Sequence, residues 1–410
     1  LDVRRLVIYQ LSDLHLGAGL AGGRLALPTK KAEDRRREHR HAFERFATKV
    51  HADRPDVVLL PGDLFDNGEP SVDDLNFLIA TVNAMSPVPV FLTPGNHDGY
   101  GPSSCYNVQS ALYQSRGGAP KWGGHVHIFT ADGFATRPLP HHTGVTVTGA
   151  AYHRHVPESV RVLADVEAAP REGVHVLLFH GALQNYPRPG ADADVMPFTG
   201  DELRRLGFAY AAVGHYHHGG LIADREGRLM GAYAGAPFAT SLADEGCGTW
   251  IQNNVHPDRP LVEDDVTWHR LDDRRIHTVE MDVTGLADTL ALGQRLDGRL
   301  EAEGVTDRDM VRLLLRGRLA RGVVFSPQDD LAERFYHAVV DDSAVEPDYD
   351  VSFGGKLPPE PGLAATGEQV LRWKMLHRHK EATTDVERRR IKNALFYGLD
   401  ALTSGEIHLR

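Results

Sequence analysis

Five short blocks of this 410-residue sequence concentrate aspartate, asparagine and histidine: DLH at 13 to 15, GDLFD at 62 to 66, GNHD at 95 to 98, FHG at 179 to 181 and GHYH at 214 to 217. Asp13, His15, Asp63, Asn96, His180, His215 and His217 offer hard oxygen and borderline nitrogen donors with no thiolate among them. Such a set suits catalytic transition-metal ions better than structural zinc. Taken singly, each block has an ordinary reading: GDLFD could cap a helix, GNHD could form a β-turn, and a lone histidine at a strand end is more often hydrogen-bonded than ligating. Five such blocks in one chain, each directly after an apolar run, favour a shared metal site.

Those apolar runs are the elements that must position the donors. LVIYQLSDLH, DVVLLPGDLFD, VPVFLTPGNHD, VHVLLFHG and YAAVGHYHH each read as a buried strand ending in a polar loop. Residues 38 to 51 and 71 to 85 repeat apolar side chains at helical spacing between them. The pattern is α/β, an architecture whose ligands gather beyond the strand C-termini, so five strands deliver their polar ends to one rim. Gly- and Asp-rich turns from 221 to 271 predict hairpins that complete a second sheet, giving a two-sheet β-sandwich flanked by helices over residues 1–272. From 273 to 355 the pattern reads β-α-β-α-β: IHTVEMDV as strand, 284 to 303 as helix, MVRLLLRGRL as strand, 327 to 341 as helix and YDVSF as strand. This predicts a small separate α+β domain. A Pro/Gly-rich linker at 356–366 then leads to a helical tail, 367–410, with two amphipathic stretches.

Composition bounds the class. With 41% hydrophobic and 25% charged residues the chain reads as globular, and Cys105 and Cys247 form no CxxC pattern, so a reducing cytoplasm is expected. No run approaches the roughly 18 apolar residues of a membrane span, and none is expected. The formal net charge of −11 opposes unaided nucleic-acid binding. Basic residues are nonetheless dense at 30 to 49, where Arg35, Arg36, Arg37 and Arg40 are the candidate phosphate contacts, and again at 372 to 392. A solvated helix face is the ordinary alternative for either run, and His39 and His41 in the first run are expected to be exposed.

The five blocks resemble the signature of the calcineurin-like metallophosphoesterases: D-x-H, G-D-x-x-D, G-N-H-D/E, H and G-H-x-H, all present without substitution. Within that superfamily DLHLG at 13 to 17, RREHRHAFERF before RPDVVLLPGDLFD, TPGNHD and YAGAPF at 233 to 238 are similar to the SbcD-type DNA-repair exonucleases. The resemblance implies two divalent ions, manganese first, with iron, zinc and magnesium as other ions the same donors accept. It places Asp13, His15, Asp63 and His217 on one ion and Asp63, Asn96, His180 and His215 on the other, with Asp63 as the bridge. His97, the remaining histidine of the cluster, is expected to act as general acid or in transition-state stabilisation; in the resembled family the position of Asp66 orients it, and a carboxylate there would stabilise the protonated imidazole. Asp98 ranks below Asp66, as a turn residue or a support behind the ligands.

Two ions sharing a water suit in-line phosphoryl displacement, which fixes the reaction type but not the substrate. The subfamily resemblance implies a DNA exonuclease or endonuclease, a docking helical segment for an SbcC-type, SMC-like ATPase, and allows a homodimer. The alternatives are a small-molecule or cyclic-nucleotide phosphodiesterase, and a DNA-end-tethering subunit whose nuclease activity is secondary.

Overall fold

The computed structural model describes residues 5–22, 25–119, 121–157, 159–186, 194–286, 288–320, 323, 325–349 and 351–403. Two compact units divide the chain, Leu1–Ile276 and His277–Arg410. In the first, the elements run β1 (Leu6–Gln10), α1 (Thr29–Asp53), β2 (Val57–Pro61), α2 (Val72–Asn83), β3 (Val90–Thr93), α3 (Ala111–Gln114), β4 (Val126–Ile128), β5 (Ala135–Pro138), β6 (Val145–Gly149), β7 (Val174–His180), α4 (Gly200–Leu206), β8 (Tyr210–Gly214), β9 (Gly220–Ala223), β10 (Leu229–Tyr233), β11 (Thr249–Val255) and β12 (Val266–Arg270).

They form two six-stranded sheets, ordered β12-β11-β1-β2-β3-β4 and β5-β6-β7-β8-β10-β9. The strands that carry the blocks are parallel to their block-bearing neighbours: β1 with β2, β2 with β3, and β7 with β8. Both faces of these strands are buried, which is why they read as continuous apolar runs. In β2, Val58 and Leu60 join the cluster beneath α1 and α2, whereas Val57 and Leu59 face β6, β7 and β8 across the sandwich. In β7, Val174, Val176 and Leu178 line the space between the sheets, and Leu177 and Phe179 pack outward with α4. Near the C-terminal rim Gln10 ties the sheets together. Its amide donates to the Val213 and Ala232 carbonyls at 3.2 and 3.0 Å and its oxygen accepts from Tyr210 Oη at 2.6 Å. A buried amide is thereby fully satisfied, and the two halves of the rim are held in register.

The predicted hairpins over 221 to 271 divide between the sheets. β9 and β10 extend the second sheet, while β11 pairs antiparallel with β1 and carries β12, so this pair completes the first.

The second unit contains β13 (Ile276–Asp282, beginning at the boundary residue), α5 (Thr289–Ala302), β14 (Met310–Leu319), α6 (Gln328–Arg334), β15 (His337–Pro347), α7 (Gly367–Glu381) and α8 (Asp385–Thr403). Its sheet has the order β13-β14-β15. The helix expected over 327 to 341 stops at Arg334, and a strand follows. Ala338 and Val340 pair with Val311 and Leu313 of β14, where β-branched side chains fit a pleated surface better than another helical turn. Gln328 fixes the switch, accepting from Val340 N–H at 3.0 Å and donating to the Ala338 carbonyl at 2.9 Å. YDVSF, expected as strand, instead contributes Tyr349 and Val351 to a small core with Leu395, Phe396 and Leu399 of α8. Residues 404–410 of the predicted tail lie outside the described residues.

Candidate metal centre

The five blocks converge at the C-terminal ends of β1, β2, β3, β7 and β8. The loops after β1 and β2 continue the pairing of their strands. The N–H groups of Asp13, His15 and Leu16 donate to the carbonyls of Gly62, Asp63 and Leu64 at 3.1, 3.1 and 3.0 Å. Four donor residues take positive φ to turn their side chains inward: Asp13 at 55°, His15 at 45°, Asp63 at 51° and His215 at 122°. Such conformations cost non-glycine residues energy and persist where the surroundings over-determine them, as they do at functional sites. Gly95 is required by closeness: a Cβ there would lie 2.3 Å from Asp63 Oδ1.

Donor atoms of Asp13, His15 and His217 lie within 4.8 Å of one another, as do those of Asp13, Asp63 and His180. Asp63 Oδ2 is 3.9 Å from His15 Nε2 and 3.3 Å from His180 Nε2, so both buried carboxylates stand between the two histidine sets. Asn96 Oδ1 lies 2.8 Å from His180 Nε2. His215 sets its ring edge-on to His180, with centroids 5.3 Å apart, and its main-chain N–H donates to Asp13 Oδ1 at 3.1 Å. All seven sequence-predicted ligands are therefore brought together.

The ring nitrogens test whether this set fits metal. His180 Nδ1 meets the Pro61 carbonyl at 2.9 Å, and a carbonyl only accepts, so Nδ1 holds a proton; Nε2 faces two more acceptors, Asn96 Oδ1 at 2.8 Å and Asp63 Oδ2 at 3.3 Å, so either it is protonated too or a cation takes that proton's place. His15 Nδ1 faces Asp66 Oδ1 at 3.3 Å, and His217 Nδ1 faces Asp244 Oδ1 at 3.2 Å. With both Nδ1 atoms donating to carboxylates, the Nε2 atoms of His15 and His217, 3.1 Å apart, present lone pairs to each other. Either one ring is cationic or a cation lies between them, and the donor set fits a metal. Electrostatics agree. Burial, reinforced by the Asp63 charge, raises the Asp13 carboxyl against the pull of the neighbouring histidines. Burial would raise Asp63 too, but His180 and His15 outweigh it and hold it well below the usual range, while His180 is itself pushed up to about 9 against the penalty of burial, chiefly by Asp63. A buried carboxylate pair calls for positive charge, which divalent ions supply.

His97 is exposed and stands edge-on to His15, with centroids 4.7 Å apart. Its N–H donates to Asp63 Oδ1 at 2.8 Å, and its ring Nδ1 donates to the Asp66 main-chain carbonyl at 2.9 Å, which leaves Nε2 for proton transfer. The Asp66 carboxylate, expected to orient His97, lies within 4.8 Å of the His97 ring but forms its bond elsewhere. The carboxylate faces His15, whose bond is the main cause of its lowered pKa, and Asp66 steadies His97 through the backbone. Asp98 is buried and accepts from the N–H groups of Leu64, Phe65 and Gly95 at 2.8, 3.2 and 2.7 Å, and from Tyr106 Oη at 2.5 Å. It binds the second and third blocks to each other. Asp244, which supports His217, was not predicted: it lies 27 residues on, in a turn with no motif.

The basic helix α1 is corrected in part. Arg35 is 1% exposed, paired with Asp272 and with Glu38, and cannot reach a phosphate. His39 is also buried, stacked on Phe238 with centroids 4.2 Å apart, and burial next to Arg35 and Arg36 pushes its pKa well down. Arg40 is held between Asp73 and Asp74 at 2.6 Å from each, and Arg37 pairs with Asp34. Half-buried Arg36 makes no ion pair among the described residues. With Arg37, Arg40 and Ser71 it lines a cleft of about 300 Å³ that reaches His15.

The sequence model of the calcineurin-like phosphoesterases matches residues 6–219, more than half of the chain and all five blocks. The chain belongs to this family. It is thus a metal-dependent phosphoesterase by family, and its donor residues imply two divalent metal ions. Calcineurin-like phosphoesterases supply the two-sheet α/β fold described above. The chain is also similar, at 12% identity, to several solved structures. These include TT1561 of Thermus thermophilus and a dimetal phosphatase from Danio rerio, each covering 65% of this chain and 99% of the other with a TM-score of 0.37. A predicted phosphoesterase from Streptococcus pneumoniae covers 66% of this chain and 99% of its own, with a TM-score of 0.26. Among the described residues no helix is long and apolar enough to cross a membrane.

Proposed function

We propose that this calcineurin-like phosphoesterase is a phosphodiesterase acting on DNA, the exonuclease or endonuclease subunit of a repair assembly. The reaction type rests on one observation: three histidines, His15, His180 and His217, have Nδ1 committed and Nε2 turned toward Asp13 and Asp63. Asp13, His15 and His217 would hold one divalent ion, Asn96, His180 and His215 the other, with Asp63 shared. Such ions, when bound, lower the pKa of water and neutralise charge on a phosphoryl group. His97, anchored through Nδ1, offers Nε2–H to the departing alkoxide and recovers its proton from solvent, to which it is exposed. Asp98 and the Asp63 main chain keep the loops that carry these groups in fixed register.

The DNA assignment is supported by the SbcD-like wording of the blocks and by the cleft beside His15, in which Arg36 is available to a phosphate next to the scissile one. A second reading, a small phosphodiester as substrate, is favoured by the neutralisation of Arg37 and Arg40 by Asp34, Asp73 and Asp74. Partnership with an SMC-like ATPase through α7 and α8 belongs to the first reading, since α7 has no fully buried residue of its own. Manganese is the proposed ion. The test is hydrolysis of linear DNA, a nucleotide diester and an aryl monoester with manganese, zinc, iron or magnesium. Preference for linear DNA supports the proposal; turnover of the small diester alone establishes the second reading.

A further inference from the structure

We infer that Asp244 is the positioning residue of His217: it holds the imidazole in the tautomer and orientation that present Nε2 to the ion beside Asp13 and His15. The inference rests on the two-metal reading above and adds a residue to it that lies outside every sequence block. Asp244 is buried, and its two oxygens are divided between two tasks. Oδ1 lies 3.2 Å from His217 Nδ1, while Oδ2 accepts from the Thr240 and Ser241 N–H groups at 2.9 and 2.8 Å and from Thr240 Oγ1 at 3.3 Å. The turn that carries Asp244 also grips the main chain of His217, whose carbonyl accepts from Ala236 N–H at 2.8 Å and from Cys247 Sγ at 2.8 Å. Ring and backbone of one ligand are therefore fixed by a single segment, 236–247. A carboxylate on Nδ1 forces the proton onto that nitrogen, leaves Nε2 as the donor and makes it more basic, and such partners are worth roughly 10- to 100-fold in metal affinity. His180 has only a neutral main-chain carbonyl in the corresponding place.

The test is a manganese titration by calorimetry on wild type, Asp244→Asn, Asp244→Ala and Thr240→Val, with cobalt absorption spectra and melting curves of the metal-free proteins. Asp244→Asn keeps an acceptor for the turn and loses the charge, so one of two ions should bind about 10-fold more weakly, while Asp244→Ala approaches about 100-fold. The cobalt spectrum should change in both as the His217 ligand is lost or reoriented. Thr240→Val, which removes one bond to Oδ2 and leaves Oδ1 alone, should bind both ions as wild type does. The role is overturned if both Asp244 variants bind two ions with wild-type affinity and spectrum, or if Thr240→Val loses as much as Asp244→Ala. Wild-type protein that takes up no divalent ion would instead overturn the two-metal reading, and this role with it.

Discussion

His97 and Asp66 meet across 31 residues of sequence, yet their side chains serve different atoms, and substitution should separate them. His97 touches the site through its own N–H and Nδ1 and leaves Nε2 outward, so His97→Ala should cut turnover about 100-fold or more with metal content unchanged. The Asp66 carboxylate acts on His15, so Asp66→Ala should weaken metal binding by roughly 10-fold or more as well as slow turnover. Metal analysis beside steady-state kinetics distinguishes the two; an Asp66 variant that retains its metal would return it to the His97 side. The convergence of the seven donor residues was legible in the sequence because each lies at the end of its strand or within a few residues of it, where local order determines what reaches the rim. Asp244 was not, because its link to His217 exists only after β10 and the turn beyond it have folded back. Spacing alone does not say toward which neighbour a side chain turns, and the Asp66 carboxylate bonds His15 while its charge also acts on the nearby His97 ring.

At the scale of elements, α1 shows how a run of charge can mislead. Its 30 to 49 stretch presents arginines on all sides of a helix, but one face is taken by the segment after β12. Arg35 pairs with Asp272, Arg274 bonds Glu38 at 2.5 Å, and Arg45 donates to the Leu271 carbonyl at 3.2 Å. The partner of Arg35 is 237 residues away, and no local pattern announces it. Arg35→Ala leaves Asp272 buried without its partner and should cost about 3–5 kcal/mol of stability by denaturant melts, whereas Arg36→Ala should stay within about 0.5 kcal/mol. Glu38 makes the same anchorage sensitive to pH. Burial would raise its carboxyl, but the bonds from Arg274 and Arg35 prevail and hold it below its ordinary 4.5. A depressed carboxyl stabilises fully above the unfolded value and loses that contribution as pH falls through the folded one. The melting-temperature gap between wild type and Glu38→Gln should therefore be constant above pH 4.5 and shrink below it. The strand at His337–Pro347, like the YDVSF segment after it, departs from the expected element, since a short apolar run after a helix start fits either period, and pairing with β14 decides.

For the whole molecule, a formal charge of −11 combined with a largely neutralised α1 sets the expected behaviour toward DNA. With most arginines of α1 already paired, unaided binding through it should be weak and only mildly dependent on salt, because the slope of log affinity on log salt counts neutralised phosphates. Arg36→Ala should lower that slope by about one in a titration of linear DNA, and Arg35→Ala in folded protein should not. An unchanged slope for Arg36→Ala would leave the cleft beside His15 without a phosphate contact and favour the small-diester reading. Two packed sheets were readable from strand periodicity, while the assignment of β11 and β12 to the first sheet was not, since pairing partners distant in sequence carry no local mark. On the proposed reading Asp63 belongs to both ion sites, and hydrolysis depends on the two together. Manganese content and cleavage of linear DNA, measured on the same samples of wild type and Asp63→Ala, test it most directly. Wild type should carry two ions and cleave, and Asp63→Ala should carry none and be inactive; an Asp63→Ala protein that keeps two ions, or cleaves at the wild-type rate, would contradict it.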